Sequence, residues 1–172
     1  RATSEPARAT SEPARATSEP VVVLEAERAI SVVEEQLVDE LPALRPLSIA
    51  VHEAAANLSG VQSAIASAGH TVSVGATGKD GLAKILQALG GELDVVLVGI
   101  PGGESVIDAV LALAPRRPVV IAAITGVATD GVRRASDLGA DLVVMRPHDV
   151  ERLAPVLLAA SRLADAWRAA AP

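Results

Sequence analysis

Asp94-Val95-Val96-Leu97-Val98-Gly99-Ile100-Pro101-Gly102-Gly103 reads as a buried strand that stops at a corner built of glycine and proline. A short Val/Leu run bounded in this way is the pattern of a strand covered on both faces. In an open α/β sheet, ligands and chemistry collect just beyond the carboxyl ends of the strands. The residue at this corner therefore decides whether the domain acts chemically. It is Gly99, which offers only its backbone.

Working outward, similar apolar runs predict strands at Leu47–Val51, Thr71–Gly75, Asp94–Val98, Val119–Ile124 and Leu142–Met145. Between and after them, helical patterns fall near Leu58–Ala68, Gly78–Leu89, Ser105–Ala114, Thr129–Leu138 and Val150–Trp167. Strands alternating with helices indicate a doubly wound, five-stranded parallel sheet of flavodoxin-like order, with the domain spanning residues 46–167.

Before this domain the pattern changes twice. Residues 1–20 repeat Arg-Ala-Thr-Ser-Glu-Pro-Ala from Arg1, Arg8 and Arg15. A seven-residue period invites a coiled coil, but Ala is the unit's only apolar residue and Pro6, Pro13 and Pro20 would break each helix. The segment is expected to be a disordered linker reaching about 25 Å. Residues 21–44 then read as an amphipathic helix, with Val23, Ala26, Ile30, Val33 and Leu37 on one face and Pro42 at its end. An a/d seam over residues 21–41 would pair two copies, and a single helix packed on the next domain is the alternative. The chain opens on Arg and not Met, which suggests a piece of a longer protein.

Composition removes several function classes. The 172 residues are 50% hydrophobic, yet no apolar stretch approaches the roughly 20 residues of a membrane span. Cys is absent, which excludes thiolate chemistry and disulfides and fits a reducing cytoplasm. His52, His70 and His148 are scattered, so no metal site or cofactor is expected. A net charge of −6, no basic run and Trp167 as the sole aromatic disfavour direct binding of nucleic acid.

Gly139-Ala140-Asp141-Leu142-Val143-Val144-Met145-Arg146-Pro147 resembles the Gly-Ala-x-Asp-Tyr-Leu-x-Lys-Pro segment of response-regulator receiver domains. Asp94–Gly103 resembles their third strand and Pro118-Val119-Val120-Ile121 their fourth, so the resemblance covers about residues 46–165. It implies phosphoryl transfer to a carboxylate, with an acidic pair on magnesium and a Lys on the developing charge.

This chain departs from that pattern. His52 and Glu53 stand where the family has its acidic pair, leaving one carboxylate, and Gly99 replaces the phosphoacceptor. Arg146 replaces the Lys with a planar fork. The hydroxyl after the fourth strand is Ala123 in one register and Thr125 in another, and Val143 fills the aromatic switch position. Asp94 lies about 13–17 Å from the strand's carboxyl end, too far to substitute. Glu104 fits a first-turn acid favourable to a helix dipole.

His52, Glu53, Gly99, Thr125 and Arg146 are thus expected to form a degenerate phosphorylation pocket in a pseudo-receiver that is not an enzyme. Its work would be protein interaction or dimerisation in bacterial signalling. The resemblance implies a contact face carrying Arg133, Arg134, Asp137, His148, Arg152 and Arg162, with Arg146 beside it. The alternative is a small-ligand or anion sensor at the same crevice, held by Arg146 and the amides of the glycine corner. That corner matches neither Gly-x-x-x-x-Gly-Lys-[Ser/Thr] nor Gly-x-Gly-x-x-Gly, and no Asp-x-His-x-x-Gly pattern of cobalamin modules surrounds His52.

Overall fold

A computed structural model describes residues 45–126 and 129–170. The chain divides into two units, Arg1–Pro42 and Ala43–Pro172. The expectations for the 1–20 repeat and the 21–44 helix lie outside the described residues, all of which belong to the second unit.

The elements of the second unit alternate from end to end: β1 (Ser48–His52), α1 (Ala55–Ser67), β2 (Thr71–Ala76), α2 (Gly81–Ala88), β3 (Val95–Gly99), α3 (Glu104–Leu111), β4 (Val119–Thr125), α4 (Thr129–Asp137), β5 (Leu142–Arg146) and α5 (Val150–Ala170). The strands pair in the order β2-β1-β3-β4-β5 and every pairing is parallel. This is the five-stranded flavodoxin-like fold read from the sequence.

The two-residue period of each strand divides the apolar side chains between two cores. Ile49, Val51, Val95, Leu97, Ile121 and Ala123 face α1 and α5, meeting Val61, Ile65, Leu153 and Leu157. Ala50, Val96, Val98, Val120, Ala122 and Ile124 face the other way onto Ile85, Val106, Ile107, Val110 and Ala135 of α2, α3 and α4. All five residues of β3 are buried, as its unbroken apolar run requires.

Two glycines close the frame. Gly102, at φ 112°, turns the chain after β3 in a backbone region that disfavours L side chains. Gly139, at φ 80°, ends α4, and a Cβ there would meet Leu111 Cδ1 at 2.8 Å. Chain order reverses between β1 and β3, so the crevice of this fold opens at their carboxyl ends.

Candidate functional site

β1 delivers His52 and Glu53 to that crevice as neighbours, and the strand period sends them to opposite sides. His52 Nε2 lies 3.0 Å from the Gly78 carbonyl oxygen, while its buried Nδ1 has no partner. It packs beside the glycine corner, where a Cβ on Gly103 would come within 3.2 Å of Nδ1. His52 thus stands apart from the other pocket residues.

Glu53 turns over the carboxyl ends of the strands and is 2% exposed. Arg146, the last residue of β5, reaches it across β3 and β4 in a two-pronged pair. Nε donates to Oε2 at 3.1 Å and Nη2 to Oε1 at 2.8 Å. The Ala54 N–H donates to Oε1 at 2.8 Å, and His148 Nε2 lies 3.2 Å from Oε2. Asn57 Nδ2 adds a long contact to Oε1 at 3.5 Å. Burial alone would push the Glu53 carboxyl up, but the His148 and Arg146 hydrogen bonds, the Ala54 N–H and the Arg146 charge outweigh it. They hold its pKa down at about 2.

The remaining prong of Arg146 ties in the other strand ends. Nη1 donates to Thr125 Oγ1 at 2.9 Å and to the Ile100 carbonyl oxygen at 3.0 Å. Of the two registers open for the hydroxyl, Thr125 is the one at Arg146, its partner across β4 and β5. Ala123 is buried in the core beneath and pairs with Gly99.

Gly99 lies directly under the ion pair. A Cβ there would sit 2.5 Å from Arg146 Nη2 and 2.8 Å from Glu53 Cδ. Real Cβ atoms do not approach neighbours so closely, so the missing side chain and the ion pair are one arrangement. The crevice offered by the sequence for an anion is filled by the Glu53 carboxylate, and Arg146 is engaged by Glu53, Thr125 and Ile100 together. Among the described residues no cluster of three or more His, Cys, Asp or Glu could hold a metal ion.

His148 corrects the sequence reading. Its side chain is 3% exposed and lies against Glu53, so it belongs to the pocket and not to an exposed face. Its place two residues after Arg146 was the only local signal for this. Of the remaining face residues, Arg133, Arg134, Asp137, Arg152 and Arg162 are exposed. Arg134 pairs with Glu104 at 2.6 Å and Arg152 with Asp149 at 3.3 Å. Glu104 also accepts the Gly102 N–H at 2.8 Å, capping the glycine corner from within. Exposed Val132, Met145 and Val150 give α4, β5 and α5 an apolar component.

A cleft of about 850 Å³ lies at the opposite, amino-terminal edge of the sheet, lined by Arg45, Asp94, Arg117, Trp167 and Arg168 among others. Asp94 accepts both Arg45 Nη atoms at 2.9 Å, the Ser48 N–H at 2.9 Å and Arg168 Nη2. Asp141 accepts a second fork from Arg117, at 2.6 and 2.7 Å, together with the Val120 N–H at 2.8 Å. These pairs fasten strand starts, and the sequence reading named neither arginine fork.

No family model and no curated protein matches the sequence. Solved structures do match. The receiver domain of AraT, a response regulator from Geobacillus stearothermophilus, aligns with TM-score 0.57 and 16% identity over 72% of this chain and 99% of that one. A CheY-like receiver domain from Methanospirillum hungatei JF-1 gives 0.56 and 19% over 74% and 100%. NtrX from Brucella abortus, solved with ATP, gives 0.62 and 17% over 73% of this chain and 29% of that protein. At these identities the likeness is one of architecture, and the second unit of this chain has the CheY-like fold of response-regulator receiver domains.

Proposed function

We propose that the chain is a phosphorylation-independent pseudo-receiver, a protein-interaction or dimerisation module of a bacterial signalling or regulatory protein, working in the cytoplasm and without enzymatic activity. The observation that carries this reading is the Glu53–Arg146 pair lying where a side chain on Gly99 would have to be. In-line phosphoryl transfer needs a nucleophile, and Gly99 has none. It also needs oxygen ligands for magnesium, and the single carboxylate present is neutralised by a guanidinium.

A scaffold with such a pocket acts through its surfaces. Two are available to the proposal: the face of α4, β5 and α5, whose elements carry exposed Arg133, Arg152 and Arg162 and exposed Met145 and Val150, and the 21–41 segment as a homodimer seam. The anion-sensor alternative has no geometric support, because its intended cation is already paired.

Incubation of the full chain with acetyl phosphate and magnesium, followed by intact-mass measurement, tests the reading. The mass is expected to stay unchanged. An adduct of one phosphoryl group that hydroxylamine removes, the signature of an acyl phosphate, overturns it.

A further inference from the structure

We infer that Glu53 is a tethered anion: the strand-end pocket is an oxyanion site that the chain fills from within, and removing that carboxylate leaves a receptor for a free carboxylate of acetate size. The inference rests on the reading of the pocket as closed to phosphorylation and says what closes it.

The donors converge from three separate segments. Arg146 brings two N–H groups from the end of β5, Ala54 brings a backbone N–H from the start of α1, and His148 brings Nε2 from the turn before α5. A planar fork, a backbone amide and an imidazole around one carboxylate make a charge-assisted, bidentate site of the kind that recognises free carboxylates.

Arg146 and Ala54 keep partners other than Glu53, whereas among the described residues Glu53 is the one hydrogen-bond partner of the His148 ring, whose buried Nδ1 has none. Arg146 remains held by Thr125 Oγ1 and the Ile100 carbonyl oxygen, at 2.9 and 3.0 Å. The Ala54 N–H is fixed at the mouth of α1, where the Ala54 carbonyl accepts from Asn57 and Leu58. His148 is enclosed, with its side chain 3% exposed. Gly99 leaves the floor free of any side chain. The Arg146 and Ala54 donors are therefore preorganised, which is the condition for a small ligand to bind without a large ordering cost.

Glu53→Ala excises a CH₂–COO⁻ group, the heavy-atom skeleton of acetate. The test follows the urea midpoint of the full chain at neutral pH in sodium acetate and in sodium chloride of equal ionic strength. Wild type is expected to have the same midpoint in both salts. Glu53→Ala is expected to lose stability in chloride and to regain roughly half of the lost midpoint, saturably, in acetate, as ligation of the folded state demands. Glu53→Gln fills the same space without charge and should not respond.

The inference is overturned by the lack of any acetate-specific gain in Glu53→Ala, whether that variant starts folded or unfolded in chloride. It is equally overturned by a gain of the same size in wild type or Glu53→Gln, which would place acetate elsewhere. Acyl phosphate on the wild type would defeat the pseudo-receiver reading while leaving rescue of Glu53→Ala in place. Lost rescue with an unlabelled wild type would defeat only the tethered anion.

Discussion

A methyl group added at Gly99 would meet the Arg146 guanidinium at 2.5 Å, so Gly99→Asp does more than return a carboxylate. It forces a second acid against Glu53 and displaces the fork. The variant is expected to lose about 1–3 kcal/mol in urea denaturation, the usual cost of overpacking a fitted site, and to remain unphosphorylated. Glu53 also sets an acid limit. Its carboxyl moves from an ordinary 4.5 when unfolded to about 2 when folded, so the unfolded state binds the proton first as pH falls. Its stabilisation, about 3 kcal/mol by that linkage, is complete above about pH 5 and is lost as pH falls toward 2. Urea midpoints across that window should fall more steeply for wild type than for Glu53→Gln. At this scale the sequence showed that Gly99, Glu53 and Arg146 depart from the receiver pattern. It did not show that they compensate one another, because pairing across two intervening strands depends on sheet order. His148 was misplaced for a related reason, since the turn after β5 sets its direction and sheet order brings Glu53 to meet it.

The strands were legible to within one residue: β1, β3 and β4 because buried parallel strands are unbroken apolar runs with abrupt ends, and the edge strands β2 and β5 because Val and Leu recur in them between Gly- and Pro-bearing turns. Helix ends drifted by up to three residues, as at α1, where no side-chain cap marks the start. Two strand starts carry the information that local patterns missed. Asp94 ties the start of β3 to Arg45, to the Ser48 N–H at β1 and to Arg168 in α5, while Asp141 ties the approach to β5 to Arg117 and the Val120 N–H of β4. Sequence reasoning gave Asp94 a structural role but could not name partners so distant in the chain. Asp141→Ala leaves a part-buried guanidinium and an amide without their acceptor and should cost about 2 kcal/mol. Trp167 lies 4.6 Å from the Arg117 guanidinium and is the chain's sole aromatic. Its fluorescence should report both the folded-state change in this variant and an unfolding transition at lower urea.

At the scale of the molecule, the second unit holds both hydrophobic cores, each closed by helices of the same unit. Removal of residues 1–42 is therefore expected to leave a cooperative thermal transition, checked by circular dichroism. Residues 21–44 set one Arg against six acids, so a homodimer through that segment works against like charge. Light scattering should find a dimer of the full chain that tightens with added salt, as screening relieves the repulsion, and a monomer after truncation.

The central claim is that the strand-end pocket is complete without a phosphoryl group. Titration of the isotope-labelled protein with magnesium and beryllofluoride, a phosphoryl mimic, tests it directly through the amide signals of Gly99, Thr125 and Arg146. Signals that stay unmoved at millimolar mimic, in large excess over protein, are predicted. A saturable shift of those three signals would show a pocket still open to a phosphoryl group and would contradict the claim.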